Sequence, residues 1–346
     1  MSTDISKLLA AIDGLDIEVE QKDEIKEWVQ KSSSKRRIEI LVTGRTGTGK
    51  STLVNALVGK DVAKVGSKLK VQTAEVKAYV AKAEDGVEVV VWDSPGLQDG
   101  SGKETEYLSM LKEKCSNVDV IIYCIDVSET RAKLKGEDED LRAIQQLTAT
   151  FGLDWWEHSI FVLTRANLLE AMLSVKPDLE ERFNERLQDW KQRIHETLLR
   201  EGVSKEVVDE IPVEPAGHIK KPHLPGRKYW LSALWIIFLD RAKERSQPLI
   251  TKLNLHRLKK ESEVKEGDFE KEGYEQPIVI DHMEWISHIL KGGSVGAQTG
   301  AAVGALGGII GSVVGGVVGG AVGAGAVILT KIWKYRKSKK RKGSKK

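Results

Sequence analysis

Hydrophobic and polar positions follow three different rhythms along the chain. Residues 1–36 carry Leu8, Leu9, Ile12 and Ile17 among acids and lysines, which predicts a short amphipathic helical lead. From residue 37 to 248 short apolar runs alternate with helical patterns. Strands are predicted at IEILVTG, VKAYVAK, VEVVVWD, VDVIIYCID, SIFVLT and EIPVEPAG. Helices are predicted from Lys50 to Val58, near 104–114, 136–150 and 178–201, with the stretch WLSALWIIFLDRAKER following the last strand. That order predicts an α/β domain with a mostly parallel sheet covered on both faces. VKAYV and VEVVVWD, joined by AEDG, predict a hairpin that supplies one antiparallel edge strand. Residues 249–291 are charged and weakly patterned and read as a linker holding at most one short helix.

The third rhythm is built on glycine. No charged residue occurs from Gly292 to Thr330, and Gly292, Gly296, Gly300, Gly304 and Gly308 recur every fourth position. Gly307, Gly311, Gly315, Gly319 and Gly323 continue that spacing in a shifted register. The stretch is longer than the roughly 20 residues one helical membrane crossing needs. Glycine at every fourth position also leaves a flat groove that lets helices approach closely in lipid. Residues 292–333 are therefore expected to be a glycine-zipper hydrophobic membrane segment, as two antiparallel passes or one tilted crossing. Trp333 and Tyr335 sit beside cations at its end, and residues 334–346 form a polybasic tail suited to anionic headgroups. The expected location is the cytoplasmic face of a membrane, with membrane lipid met through residues 292–346.

Composition narrows the picture. A net charge of +3 on 346 residues does not imply a nucleic-acid partner, and none is expected. The basic end leaves the remainder net acidic. Cys115 and Cys124, the two cysteines, fall on a predicted helix and a buried strand, which excludes a disulfide framework and fits a reducing compartment. The first twenty residues lack a basic region followed by an apolar core, so no secretory signal is expected. His158, His195, His218 and His223 show no metal-ligand spacing, and Trp155, Trp156, Trp230 and Trp235 read as packing residues.

The candidate chemistry begins after the first strand. Gly44-Arg45-Thr46-Gly47-Thr48-Gly49-Lys50-Ser51 has the spacing of a phosphate-binding loop and opens a helix. Its glycines let backbone N–H groups curl round phosphates, Lys50 reaches the β- and γ-phosphates, and Ser51 is a Mg²⁺ ligand, with Thr52 next in line. Further on, a buried strand ends in Asp93-Ser94-Pro95-Gly96. Asp93 would hold Mg²⁺ through water, and the Gly96 N–H would meet the γ-phosphate. Thr73 is the candidate switch threonine on the metal, with Thr52 and Ser67 as rivals. Leu97 stands where Ras-like GTPases carry the glutamine that orients attacking water, so intrinsic hydrolysis is expected to be slow. Thr46 replaces the small glycine that lets a Ras-type activator's arginine approach.

The strand SIFVLT runs into Thr164-Arg165-Ala166-Asn167, where a nucleotide-binding sheet places its base reader. Aspartate at the last position would accept from guanine N1–H and the 2-amino group; Asn167 offers one acceptor and one donor. That exchange weakens guanine recognition and favours xanthine, although the amide oxygen still accepts one guanine hydrogen bond.

Taken together, GRTGTGKS, DSPGL, SETR, LTATFG followed by tryptophan, FVLTRAN, VEPAGH and WLSALW resemble the GIMAP and Toc (chloroplast import receptor) branch of septin-like GTPases. The resemblance covers about residues 36–240 and is greatest to members carrying LT-x-AN and PAG. It implies a P-loop GTPase-type three-layer sandwich that binds GTP or GDP with Mg²⁺. It also implies that T-x-A-N serves a guanine nucleotide, with Thr164 and Arg165 flanking the base and Ala216 and Gly217 lying over it. Members are thought to pair across their nucleotide faces. In that setting Arg131 resembles the arginine contributed to the partner's phosphates, against the plainer reading of a solvated residue pairing with Glu137 or Asp138. The expectation is thus a membrane-associated GTPase, converting GTP and water to GDP and phosphate slowly unless it forms a homodimer, and acting as a switch or scaffold. The alternatives are a nucleotide-gated membrane-inserting effector with little catalysis, and a P-loop protein of altered base specificity.

Overall fold

The computed structural model describes residues 6, 9–10, 12–14, 18–32, 37–63, 75–82, 87–98, 102–128, 139–173, 178–227, 229–255, 257–260, 264–269 and 276–280. The predicted membrane segment and polybasic tail, together with Thr73 and Arg131, lie outside them. Among the described residues no helix is long and apolar enough to cross a membrane.

Six strands form one sheet: β1 (Arg37–Gly44), β2 (Lys77–Lys82), β3 (Glu88–Asp93), β4 (Val120–Asp126), β5 (Ser159–Thr164) and β6 (Val213–Pro215). Their spatial order is β2-β3-β1-β4-β5-β6. All neighbours pair in parallel except β2, which runs antiparallel to β3 from Lys77 opposite Asp93 to Lys82 opposite Glu88. The antiparallel edge expected from the sequence is therefore present. β4 and β5 are buried along their whole length, as strands covered on both faces must be. The edge strand β2 is mostly exposed and carries lysine at both ends, which discourages pairing with another sheet.

The helices are α1 (Val19–Ser32), α2 (Lys50–Val58), α3 (Glu104–Cys115), α4 (Glu139–Phe151), α5 (Ala166–Leu173), α6 (Leu179–Arg200), α7 (Lys205–Glu210), α8 (Trp230–Arg241) and α9 (Gln247–Leu255). A 3₁₀ turn, Leu153–His158, feeds β5. Its Trp155 and Trp156 are buried; Trp156 stacks on Phe161 at 5.6 Å and its Nε1–H donates to Thr148 Oγ1 at 2.9 Å. The short helices α5 and α7 and this turn were not signalled by periodicity, being too short to show one. Ser204 caps α7 by accepting from the Val207 N–H at 3.3 Å.

The stretch 249–291 departs from the linker expected of it. A boundary after residue 248 cuts α9, whose Leu249, Ile250 and Leu253 belong to the common core. Two further strands, β7 (Leu258–Lys260) and β8 (Ile278–Ile280), pair in parallel, and the Ser232 hydroxyl donates to the Pro277 carbonyl at 3.0 Å. Residues 249–255, 257–260 and 276–280 are thus part of the folded body. Leu249, Ile250 and Leu253 keep helical spacing with Lys252 as the one charge among them, but the run is short and the sequence after it is strongly charged, so tertiary packing decides the matter. α1 packs on α9, with Ile25 and Val29 buried, so the helical lead is docked as well.

Both cysteines are buried, free thiols, Cys115 at the end of α3 and Cys124 inside β4. Burial pushes each thiol up to about 12. Neither should react with a thiol reagent at pH 8 in the folded chain, and both should react after denaturation; prompt labelling of the native protein would contradict this packing. Trp156→Ala, which empties a fully buried site beside Tyr123 and Phe161, is expected to cost about 3–5 kcal/mol in urea unfolding.

Candidate nucleotide site

β1 delivers the phosphate loop through a glycine that nothing else can replace. Gly44 has φ +138°, and a Cβ there would sit 2.5 Å from the Cys124 carbonyl oxygen. The chain then winds through Gly47 and Gly49, both in the left-handed region, and enters α2 at Lys50. This run of turns followed by a helix N-terminus gathers backbone N–H groups for anionic oxygens. The Lys50 ammonium is buried and donates to the Arg45 carbonyl at 2.7 Å, an oxygen that also accepts from the Thr48 hydroxyl at 2.9 Å. Burial pushes the Lys50 pKa down, while the negative charge of Asp93 opposes that shift most strongly.

Asp93, at the end of β3, is fully buried and accepts from the Ser51 hydroxyl at 2.9 Å. A carboxylate and a hydroxyl at this separation, beside a phosphate loop, are the hard oxygen donors Mg²⁺ requires. Beyond Asp93 the chain stays against the phosphate loop. The Ser94 N–H donates to Val42 O at 3.2 Å, Leu97 N–H to Gly44 O at 3.2 Å, and Thr46 N–H to Leu97 O at 3.0 Å. The Arg45–Leu97 bridge extends the β1–β3 ladder with one extra residue on the Asp93 side. Gly96 lies so close to Thr46 that a Cβ would fall 2.1 Å from the Thr46 hydroxyl and 2.5 Å from its Cα. Leu97 is 0% exposed and packs in the core, so its side chain holds the loop down and orients no water.

The second wall comes from β5 and β6. The Thr164 hydroxyl lies 2.5 Å from Thr48 O and 3.0 Å from Ile125 O, tying the end of β5 to the phosphate loop. Arg165 has φ +58°; its guanidinium donates to Gly47 O at 2.7 Å and forms an ion pair with buried Asp126. Thr164 and Arg165 thus brace the loop by their polar ends. Asn167 follows, half-buried in the first turn of α5. Ala216 N–H donates to Leu163 O at 2.9 Å and Ala216 O accepts from Ala166 N–H at 3.1 Å, which brings the PAG loop beside TRAN. A Cβ on Gly217 would meet Leu224 and Trp230 at 3.3 Å. Thr52, one residue past Ser51, is exposed.

Several participants carry no motif. Asp126, Glu139 and Asp140 hold the two arginines, and Asp140 also accepts from the Tyr123 hydroxyl at 3.0 Å. Among the described residues no cluster of three or more His, Cys, Asp or Glu side chains could hold a metal ion. The Ser51–Asp93 pair is instead the kind of site that completes its metal shell with nucleotide and water.

The strand order and the phosphate loop define a P-loop domain of the G-protein type. Residues 38–197 match the AIG1 family, in keeping with the GIMAP- and Toc-like motifs. The translocase of chloroplast 34 homolog of Chlamydomonas reinhardtii is 27% identical over 153 residues, 41% of this chain and 38% of the relative. GTP-binding protein A of Dictyostelium discoideum is 27% identical over 168 residues, 48% of this chain and 35% of the relative. Immune-associated nucleotide-binding protein 7 of Arabidopsis thaliana is 31% identical over 140 residues, 40% of this chain and 44% of the relative. The match spans less than half the length of each. Among solved structures, Toc33 of Arabidopsis thaliana in complex with Mg²⁺ and GMPPNP is 19% identical with a TM-score of 0.47, over 70% of this chain and 95% of that one.

The contact between Gly96 and Thr46 predicts a stability defect that is hard to relieve. Gly96→Ala should destabilise the nucleotide-free chain by about 1–3 kcal/mol in thermal or urea unfolding. Adding Thr46→Ala should restore little, because the Thr46 Cα itself stands in the way.

Proposed function

We propose that this chain is a guanine-nucleotide switch or scaffold on the cytoplasmic face of a membrane, which binds GTP with Mg²⁺ and hydrolyses it slowly unless two copies pair. The observation that carries the reading is the phosphate loop held between two walls, Ser51 with Asp93 on one side and Thr164, Arg165 and Ala216 on the other. A nucleoside triphosphate fits that arrangement, with phosphates in the loop and base beside residues 164–167 and 216–217.

In this reading Lys50 neutralises charge on the β- and γ-phosphates, and Ser51 and Asp93 hold the metal, Asp93 through water. Bound Mg²⁺ supplies charge neutralisation and fixes the phosphate oxygens. The Gly96 N–H faces the γ-phosphate, and Thr73 joins the metal when that phosphate is present. Asn167 accepts one guanine hydrogen bond through its amide oxygen. The family match and the name of the Dictyostelium relative support guanine over other bases.

Buried Leu97 leaves the water-orienting task unfilled within one copy. Arg131, supplied across a homodimer, would instead neutralise charge building up on the partner's phosphates, an effect worth about 10³ or more in rate. Membrane attachment rests on the uncharged glycine-zipper stretch and the basic end.

Competition among GTP, XTP and ATP for the full chain with Mg²⁺ tests the base assignment. GTP should win by about tenfold or more, a difference of about 1.4 kcal/mol. A win for XTP or ATP withdraws the guanine assignment and leaves the phosphate site intact. Turnover per molecule should rise with protein concentration, and Arg131→Ala should abolish that rise; concentration-independent turnover removes the pairing mechanism. The full chain should sediment with anionic liposomes while a chain ending at residue 291 should not. Leakage of those liposomes on GTP addition, without turnover, would favour the nucleotide-gated membrane effector instead.

A further inference from the structure

The carboxylate that holds Arg45 from behind the phosphate loop is itself buried and doubly hydrogen-bonded. Asp140, in the first turn of α4, is 3% exposed. Its Oδ2 accepts from Arg45 Nε at 2.8 Å and its Oδ1 from the Tyr123 hydroxyl at 3.0 Å. Tyr123 is wholly buried in β4. Burial first, and then the charge of Asp140, push its phenol well above the ordinary value, so it remains a hydrogen-bond donor. Glu139 pairs with the same guanidinium from the solvent side.

A buried ion pair contributes little net stability compared with apolar side chains of the same volume. What this pair does supply is direction. Arg45 is the residue whose carbonyl seats the Lys50 ammonium at 2.7 Å and the Thr48 hydroxyl at 2.9 Å. Its backbone is already bridged to Leu97, and its side chain is fixed by two acids from α4. The Arg45 carbonyl shares its peptide group with the Thr46 N–H, which donates to Leu97 O at 3.0 Å, so backbone and side-chain contacts both restrain the residue that faces Lys50.

We propose that Asp140 is a positioning residue of the phosphate site: through Arg45 it fixes the carbonyl that aims Lys50 at the β- and γ-phosphates, and Tyr123 fixes Asp140 in turn. The Arg45 guanidinium, placed among the nucleotide-binding residues by the motif, acts here on the carboxylates behind the loop. The arrangement also ties the start of α4 to the phosphate loop. The proposal rests on the reading of Lys50 as a phosphate-binding group and is independent of which base is bound.

The experiment is a double-mutant cycle on the full chain, with equilibrium nucleotide affinity and native-state melting temperature both measured. Asp140→Ala should weaken Mg²⁺–nucleotide binding about tenfold, in the range by which supporting partners act on the groups they orient. In an Arg45→Ala background the same change should weaken binding less than about twofold, because the path to Lys50 is already cut. Tyr123→Phe should give a smaller loss that also vanishes in the Arg45→Ala background. Asp140→Asn, which keeps an acceptor for Arg45, should recover most of the affinity. If Asp140→Ala does not fold, Asp140→Asn in both backgrounds supplies the cycle, with a smaller loss expected in the wild-type background alone.

Additive losses of affinity in the two backgrounds would overturn the proposal and leave Asp140 a packing residue. So would a fall in melting temperature with unchanged affinity. If the wild-type chain prefers XTP or ATP, the guanine assignment fails and the cycle is read with the preferred nucleotide. If no nucleoside triphosphate binds the wild-type chain, the Lys50 role fails and the positioning role falls with it.

Discussion

Parallel pairing puts the carboxyl ends of β3, β1, β4 and β5 on one edge of the sheet, and every group of the site hangs from that edge. Val42 pairs with Asp93, Gly44 with Cys124, and Asp126 with Thr164. The last residues of four strands are therefore neighbours although they are far apart in sequence. Burial of β4 and β5 on both faces fixes this register, since a slip of one residue would turn their side chains to the wrong side. Gly44 marks how close the fit is, because only hydrogen can occupy the space beside the Cys124 carbonyl.

The site is correspondingly a set of hydrogen bonds between loops that leave adjacent strands. Thr164 reaches Thr48, Arg165 reaches Gly47, and Leu97 is bonded to both Gly44 and Thr46. The phosphate loop is thus held from both sides, by the Asp93 loop and by the TRAN loop. Preorganisation of this kind spares the bound state the cost of ordering its own donors.

The legible parts of the chain were those whose physics is local. A phosphate loop needs glycines at fixed spacing because single φ angles demand them, and Gly44, Gly47 and Gly49 all proved to need them. Alternating apolar runs revealed the strands for the same reason, and the charge-free glycine stretch was equally plain in the sequence, although residues 292–346 lie outside the described structure. Contacts set by strand crossover were not legible. Arg45 and Asp140 stand 95 positions apart, and nothing near either residue announces the other. The Thr164 hydroxyl and the Thr48 carbonyl stand 116 positions apart, and no motif links them. The apparent linker failed on related grounds: Leu249, Ile250, Leu253 and Ile278 are core residues, but the helical run Gln247–Leu255 and the strand Ile278–Ile280 are short and separated by strongly charged sequence.

Docking of that C-terminal stretch has a mechanical consequence. β8 ends at Ile280, joined to β7 by a three-residue ladder and to α8 through the Ser232–Pro277 hydrogen bond. A pull applied to the chain beyond residue 280 meets this small ladder before it meets the six-stranded sheet. With three residue pairs the ladder is far smaller than the six-stranded sheet, so the last contacts of the described chain are made apart from the strand ends that carry the phosphate loop.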